Sequence, residues 1–226
     1  MNRYSYYKTA ALTPPVSIGN PMQNAKDILA LLEQLDKDVQ LAVLPELCLS
    51  GYTCQDLFYE SILRKETMTA LEYLCIHMPE NLAVCAGLPL QVKNRLYNAA
   101  AFLFNGKVLG FYVKTFLTGY NKSYEPRWFS PASELEEGST VRFMGQDIPV
   151  SDKILFSDET TGALIGMEIC EDLWVSIPVS SLHAQAGANV LCNLSASNEV
   201  IAKEEYRRDL IANQSARLYA GYIYAS

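Results

Sequence analysis

The segment LYNAAAFLFNGKVLGFYVK, residues 96–114, decides the fold. Two apolar runs flank Asn105-Gly106, and both positions of so short a turn require positive φ, which Asn and Gly tolerate best. The segment therefore reads as a β-hairpin with Lys114 at the end of its second strand. Outward from it, apolar stretches alternate with amphipathic ones. Residues 8–12 read as a strand, after which Asn20 caps and Pro21 opens a helix. The inner face of that helix is Ala25, Ile28, Leu29, Leu32 and Leu35, one apolar stripe. A short strand precedes Glu46, a helix carrying Leu71, Leu74, Cys75 and Met78 on one side ends at Pro79, and residues 82–88 form the next strand. Residues 115–139 hold no steady period and carry Pro126, Pro131 and Gly138, so they read as a long loop over the strand ends. Residues 154–156 and 164–170 are expected strands, and Pro178 opens a helix through His183 and Ala186. Residues 190–193 read as a strand and residues 204–219 as a helix with Glu204 and Arg208 at supporting spacing. No repeat, linker or low-complexity tract interrupts the order. Strands alternating with helices around one hairpin imply the α/β class, a sheet covered by helices.

Three strand ends carry reactive or ionisable side chains. In GMEICEDLWVSIP, residues 166–178, Cys170 closes an apolar run just before Glu171, Asp172 and Trp174. A strand delivers a side chain to the rim of a sheet, and a sharp turn after it exposes the sulfur and leaves backbone N–H groups for a developing oxyanion. In LAVLPELCLSGY, residues 41–52, the apolar run stops at Pro45 and Glu46 follows at once. Burial there demands a partner and raises a carboxyl pKa toward the range of a general base. Lys114 ends the hairpin in the same way, where it can donate to an oxyanion and is hard to read as a solvated surface charge. Taken singly, these are a core cysteine, a capped glutamate and a snorkelling lysine. Together they form a candidate catalytic set.

The set resembles that of the carbon–nitrogen hydrolases of the nitrilase superfamily, which use Glu, Lys and Cys from three strand ends. LPELCLSGYTCQDLF around Glu46, GMEICEDLWVSIP around Cys170 and NLSASNEVIAKEEYRR, residues 193–208, are similar to the glutamine-hydrolysing domain of the glutamine-dependent NAD synthetase family. The pieces Asp56-Leu57-Phe58 and Glu171-Asp172-Leu173-Trp174 favour this branch over generic amidases. The resemblance implies an α-β-β-α sandwich that pairs through helical faces, hence a homo-oligomer. It implies that L-glutamine is cleaved through a cysteine thioester, with Cys170 as nucleophile, Glu46 as base and acid, and Lys114 with the Glu171 backbone N–H as oxyanion hole. Glu125 matches a second glutamate that orients the lysine, although a loop acid is also commonly solvated. Tyr120, Ser197 and Lys203 fall where that branch binds glutamine; some relatives carry arginine in place of Lys203, and lysine gives up bidentate carboxylate recognition. Tyr52 and Trp174 are placed to wall the pocket, positions where aromatic rings also serve as plain core.

The resemblance further implies that residues 1–226 are a carbon–nitrogen hydrolase (glutamine amidotransferase) domain incomplete at its C-terminus, where GYIYAS, residues 221–226, reads as a strand just beginning. A C-terminal synthetase domain, which would use ATP and Mg to amidate nicotinic acid adenine dinucleotide to NAD, is expected as the partner that receives the ammonia. No cofactor is expected in this chain, which has no glycine-rich phosphate loop. Two other readings stay open: a stand-alone amidase acting on another small amide, and a non-catalytic assembly module.

Composition narrows the classes. With 226 residues, half of them hydrophobic and 19% charged, the chain suffices for one well-buried domain. The net charge of −7 and the lack of a basic stripe argue against a nucleic-acid partner. The N-terminus MNRYSYYKTAAL lacks the signature of a secretory leader and no apolar run reaches membrane-spanning length, so a cytoplasmic protein is expected, with no membrane contact. Cys48, Cys54, Cys75, Cys85, Cys170 and Cys192 show no paired spacing and read as reduced thiols. His77 and His183 have no neighbouring ligand at metal-binding spacing, and no metal site is expected.

Overall fold

The hairpin forms where its turn chemistry places it. In a computed structural model describing residues 6–119 and 124–226, Asn105 and Gly106 both take positive φ and Phe104 pairs with Lys107 across the turn. Around it a seven-stranded sheet is ordered β1-β2-β3-β4-β5-β7-β6. Its strands are β1 (Thr9–Ala11), β2 (Leu41–Val43), β3 (Ala83–Val92), β4 (Arg95–Phe104), β5 (Lys107–Val113), β6 (Thr140–Phe143) and β7 (Gln146–Ser151). The strands β1, β2 and β3 are parallel, and β3, β4 and β5 are successively antiparallel, so β5 runs with β2. A second, four-stranded sheet, ordered β11-β10-β9-β8, holds β8 (Leu155–Asp158), β9 (Ala163–Ile169), β10 (Val190–Leu194) and β11 (Gly221–Ala225). Its last three strands are parallel.

The two sheets pack face to face. Leu41, Val43, Cys85, Phe102 and Tyr112 of the first meet Ile165, Met167, Ile169, Cys192 and Leu194 of the second in one buried cluster. The opposite face of the first sheet, Ala42, Val84, Ala86, Ala99 and Val113, packs under helices α1 (Pro21–Leu32) and α2 (Ser61–His77). Alternation along each strand divides its side chains between the two cores, as a period of two requires. Helices α4 (Val179–Gln185) and α5 (Lys203–Leu218) belong with the second sheet, to give the α-β-β-α order of layers. Asn20 caps α1, its Oδ1 accepting from the Gln23 N–H at 3.3 Å, and Pro21 occupies the first turn. Among the described residues no helix is long and apolar enough to cross a membrane.

Two readings of the sequence need correction. Residues 115–139 are not one continuous loop, since a helical turn, α3 (Glu125–Trp128), and a 3-10 turn, Ala132–Glu134, lie within them. Elements of three and four residues give no period, and tertiary contacts fix them instead. The hairpin β6–β7 was not foreseen either: it turns on Met144-Gly145, both at positive φ, and Met is a poor sequence signal for such a turn.

Gly87 ties this fold to the strand end carrying Glu46. A Cβ at Gly87 would stand 2.3 Å from the Leu47 nitrogen and 2.6 Å from the Pro45 carbonyl oxygen, because the chain crosses directly over β3 there. Backbone on that side cannot move aside, so Gly87→Ala is expected to cost about 1–3 kcal/mol or more, the range for overpacking a core. Denaturant unfolding of the variant, compared with Gly221→Ala, where a Cβ would meet only the Asn189 carbonyl oxygen at 3.9 Å, measures it.

Candidate active site

The parallel strands β2, β5 and β9 finish at the same end of the sandwich, and each is followed by one of the three side chains singled out above. Glu46 comes three residues after β2, Lys114 immediately after β5 and Cys170 immediately after β9. The sheets are joined at this rim by the Glu46 N–H, which donates to the Ser195 carbonyl just beyond β10 at 3.2 Å.

Lys114 is wholly buried, and its ammonium donates to Glu46 Oε1 at 2.7 Å and to Glu125 Oε1 at 2.8 Å. A cation with no access to water demands such partners. Glu46, also buried, takes a second hydrogen bond at Oε1 from Asn98 Nδ2 at 2.7 Å, while its Oε2 is buried and without a hydrogen-bond partner among the described residues. Glu125 accepts from Tyr52 OH at 2.7 Å and, through Oε2, from the Thr118 N–H at 3.1 Å. It is no solvated loop acid: it is 1% exposed and begins the helical turn α3. Burial pushes the Glu46 carboxyl up from the ordinary glutamate range, and the Lys114 charge opposes that push. For Lys114, burial favours the neutral amine, but the carboxylates, Glu46 foremost and Glu125 with it, outweigh burial and hold the ammonium.

Cys170 sits on a sharp turn. The extended backbone of Ile169 gives way to φ +45° at Cys170, the left-handed region, and a 3-10 turn runs from Cys170 to Leu173. A non-glycine residue held there stores about 1–3 kcal/mol of strain and needs support from its surroundings. Asp172 provides part of it. Wholly buried, it accepts from the Ile169 N–H at 3.0 Å and from Tyr112 OH at 2.7 Å, and also from the Thr115 and Phe116 N–H groups at 3.1 and 2.8 Å. The cysteine turn is thereby tied to the segment that follows Lys114. Asp172 itself is pushed up to about 7 by burial against these donors. Of six free cysteines Cys170 alone is not fully buried. Its thiol is pushed up to about 12, first by burial and then by the Glu46 charge, with Lys114 pulling the other way. The resting sulfur is therefore protonated and needs a base.

The remaining predicted residues are dispersed around this centre. Tyr52 bonds Glu125 and so belongs to the charged cluster more than to a wall. Glu171 follows Cys170 within the 3-10 turn and borders a cavity of about 560 Å³ with Thr115, Phe116 and Val175. Trp174 stacks on Tyr206 with centroids 5.7 Å apart, and the Lys203 ammonium lies 5.2 Å from the Trp174 ring while donating to Asn198 Oδ1. Ser197 is half-buried, and its N–H donates to Ser226 Oγ at 3.3 Å. Tyr120 lies outside the described residues. Asp56, from the Asp-Leu-Phe piece, binds Arg127 Nε and Nη2 at 2.8 and 2.9 Å and Trp128 Nε1 at 2.9 Å, which fastens α3 and thus Glu125 to residues 52–59. Sequence reasoning missed Asn98 and the role of Asp172. A lone amide inside the apolar run YNAAAF was the signal for Asn98; nothing local marked Asp172. Arg207, whose Nη1 is buried without a partner among the described residues, carried no signal.

The centre thus brings a neutral thiol within the field of a carboxylate with one unused oxygen and of a fixed ammonium. That combination suits nucleophilic attack on a carbonyl, followed by proton transfer to a leaving group. Among the described residues no group of three or more His, Cys, Asp or Glu could hold a metal ion.

Comparison with known proteins places this geometry in context. The carbon–nitrogen hydrolase family profile matches residues 8–219. A glutamine-dependent NAD(+) synthetase of Mycobacterium tuberculosis is 38% identical over 234 residues, covering all of this chain and 34% of the relative. The crystal structure of a glutamine-dependent NAD(+) synthetase from Cytophaga hutchinsonii superposes with a TM-score of 0.85 at 29% identity, over 96% of this chain and 35% of that one. An amidase from Nesterenkonia sp. shares the fold, with a TM-score of 0.76 at 17% identity over 99% of this chain and 76% of the amidase. The chain spans about a third of the length of the synthetases it matches.

The exposure pattern predicts selective chemistry. Limited alkylation with iodoacetamide followed by mass mapping should modify Cys170 first, because the other five thiols are buried. Earlier modification of Cys48 or Cys54 would contradict the assignment.

Proposed function

The chain belongs to the carbon–nitrogen hydrolase family, and from that membership we propose that it hydrolyses the side-chain amide of L-glutamine and supplies the ammonia to a synthetase domain of the kind its relatives carry. The observation that carries the reading is the wholly buried Lys114 ammonium shared by Glu46 and Glu125 beside the only accessible cysteine. Similarity to glutamine-dependent NAD(+) synthetases supports glutamine as the amide.

The geometry supports the following sequence. Glu46 Oε2 takes the Cys170 proton as sulfur attacks the amide carbon. The oxyanion is received by the Lys114 ammonium and the Glu171 backbone N–H. Glu46, now protonated, gives that proton to the departing nitrogen, and ammonia leaves behind a γ-glutamyl thioester. Water then enters, loses a proton to Glu46 and attacks the thioester; collapse releases glutamate and the proton returns to sulfur. Glu125 keeps the lysine in line, and Tyr52 keeps Glu125 in line. Ser197, Lys203 and Tyr120 are proposed to hold the amino-acid end of glutamine, with Trp174 beneath Lys203. ATP and Mg, in this reading, serve the synthetase partner and no cofactor serves this chain. Exposed apolar residues on or just before α4 and α5, Leu182, Val200, Ile201 and Tyr206, support pairing of copies through that helical layer in a cytoplasmic homo-oligomer.

An assay for ammonia released from glutamine tests the proposal. Cys170→Ala should abolish release, and Glu46→Gln and Lys114→Ala should each lower kcat by about 10²–10³-fold, the scale of losing a general base or an oxyanion donor. Lys114→Ala leaves two carboxylates buried without their cation, a loss of about 3–5 kcal/mol, so its unfolding midpoint is measured alongside. A change confined to KM would contradict the catalytic roles.

The pH profile follows from Glu46. Its pKa is raised by burial and the base must be ionised to act, so kcat/KM is lost as pH falls through that raised value. The acid limb should therefore lie above the ordinary glutamate range, toward neutrality. A limb near pH 4 would show that Glu46 is not the titrating base.

A further inference from the structure

A second buried carboxylate, which the reaction above does not use, lies behind the cysteine. Glu168 is on β9 two residues before Cys170 and only 1% exposed. Its Oε2 accepts from the Ser180 N–H at 2.7 Å, and its Oε1 accepts from Asn193 Nδ2 at 3.2 Å and from Tyr222 OH. Those three donors come from α4, β10 and β11. Asn193, wholly buried on β10 and in register with Glu168, uses its other end for the nucleophile: Asn193 Oδ1 accepts the Cys170 N–H at 3.2 Å.

We infer that Glu168 is a positioning residue for the reaction: its carboxylate fixes which way the Asn193 amide points, and Asn193 in turn holds the left-handed backbone of Cys170. The inference rests on the reading of Cys170 as nucleophile. The logic is one of donors and acceptors. Both Glu168 oxygens accept, Oε2 from the Ser180 N–H and Oε1 from Tyr222 OH, so the NH₂ of Asn193 faces this acceptor and the Asn193 oxygen is left for the Cys170 N–H. Were the amide reversed, its NH₂ would meet that N–H, and the turn that presents the sulfur would lose its hydrogen bond. Asp172 holds the Ile169 N–H and Asn193 the Cys170 N–H, so the strained peptide is gripped on both sides. One consequence bears on the oxyanion: the N–H of Cys170 itself is already spent on Asn193. An apolar side chain would fill the space of Glu168 as well, but could not orient an amide.

The network offers a swap that separates positioning from packing. In Glu168→Gln, whichever way the new amide turns, its NH₂ faces either the Ser180 N–H or the Asn193 NH₂. In Asn193→Asp, two carboxylates face each other. In the double variant the introduced amide donates to the introduced carboxylate, which still accepts the Cys170 N–H, and the buried charge is unchanged. The rate of Cys170 alkylation by iodoacetamide and kcat for ammonia release are measured on each folded chain. Both single variants should lose about 10–100-fold in both rates, the scale of a small misplacement of a reacting group, with KM little changed. The double variant should recover most of that loss.

Selective labelling of Cys170 in the unaltered chain tests the nucleophile reading alone; without it that reading falls, and the positioning role with it. With selective labelling intact, single variants that label as fast as the unaltered chain, or a double variant no faster than the singles, overturn the role given to Glu168. Should a single variant fail to fold, Tyr222→Phe keeps the ring and removes the hydroxyl that donates to Glu168 and accepts from Asn193 Nδ2 at 3.2 Å; slowed labelling supports the positioning of Cys170 by this network and unchanged labelling overturns it.

Discussion

The Lys114 ammonium, shut away from water, is the constraint around which the rest of the site is arranged. A buried cation is tolerated only with charge and hydrogen bonds close around it. Meeting that requirement draws together the segment after β2 through Glu46 and the helical turn α3 through Glu125. Asn98 on β4 binds Glu46 beside it, and the Lys114 N–H donates to the Asn98 carbonyl at 2.9 Å. The same cluster explains why the segment after β5 folds back over the strand ends, since Glu125 must reach the lysine from there. Removing Lys114 leaves two buried carboxylates without their cation, and so at this residue the site's arrangement and the local stability are not separable.

A second constraint is the state of the Cys170 thiol. Burial and the Glu46 charge keep the Cys170 thiol protonated, so reactivity depends on a base at hand and not on a standing thiolate. Neither histidine is placed to serve. His77 is exposed at the end of α2, and His183 of α4 has its Nε2 at 3.1 Å from the Asp152 carbonyl oxygen with its ring against Tyr112. In the proposed reaction a carboxylate whose pKa is raised by burial takes the place that an imidazole holds in other thiol enzymes. The left-handed turn at Cys170 is supported from two directions, by Asp172 toward the first sheet and by Asn193 within the second, so the sulfur's position depends on both sheets being in place.

The piece Asp56-Leu57-Phe58, which favoured the glutaminase branch in the sequence, acquires a physical reason. Asp56 is held ionised, down at about 2, by Arg127 and Trp128, and Phe58 is buried against Trp128 and Phe129. These contacts seat α3, and with it Glu125, against residues 52–59. An exposed ion pair contributes little by itself; its worth here lies in fixing where a buried carboxylate begins. The match to the synthetases and the shared fold of the Nesterenkonia amidase agree with one common scaffold.

The sequence by itself determined the order of strands and helices outside residues 125–151, the Asn105-Gly106 hairpin, the α1 cap, and the three strand ends bearing Glu46, Lys114 and Cys170. All of these rest on local signals: side-chain period, turn residues needing positive φ, and a polar residue stopping an apolar run. What lay beyond it was set by distance across the fold. The β6–β7 hairpin turns on a methionine, and α3 is too short to show a period, so only contacts with other elements specify them. Whether Glu125 is solvated or buried, and that Asn98, Asp172, Asn193 and Glu168 converge on the site, depend on which segments the two sheets bring side by side. A buried donor or acceptor must find its partner wherever the chain has placed one, and residues 46 and 114, or 168 and 193, become neighbours only once the sandwich has formed.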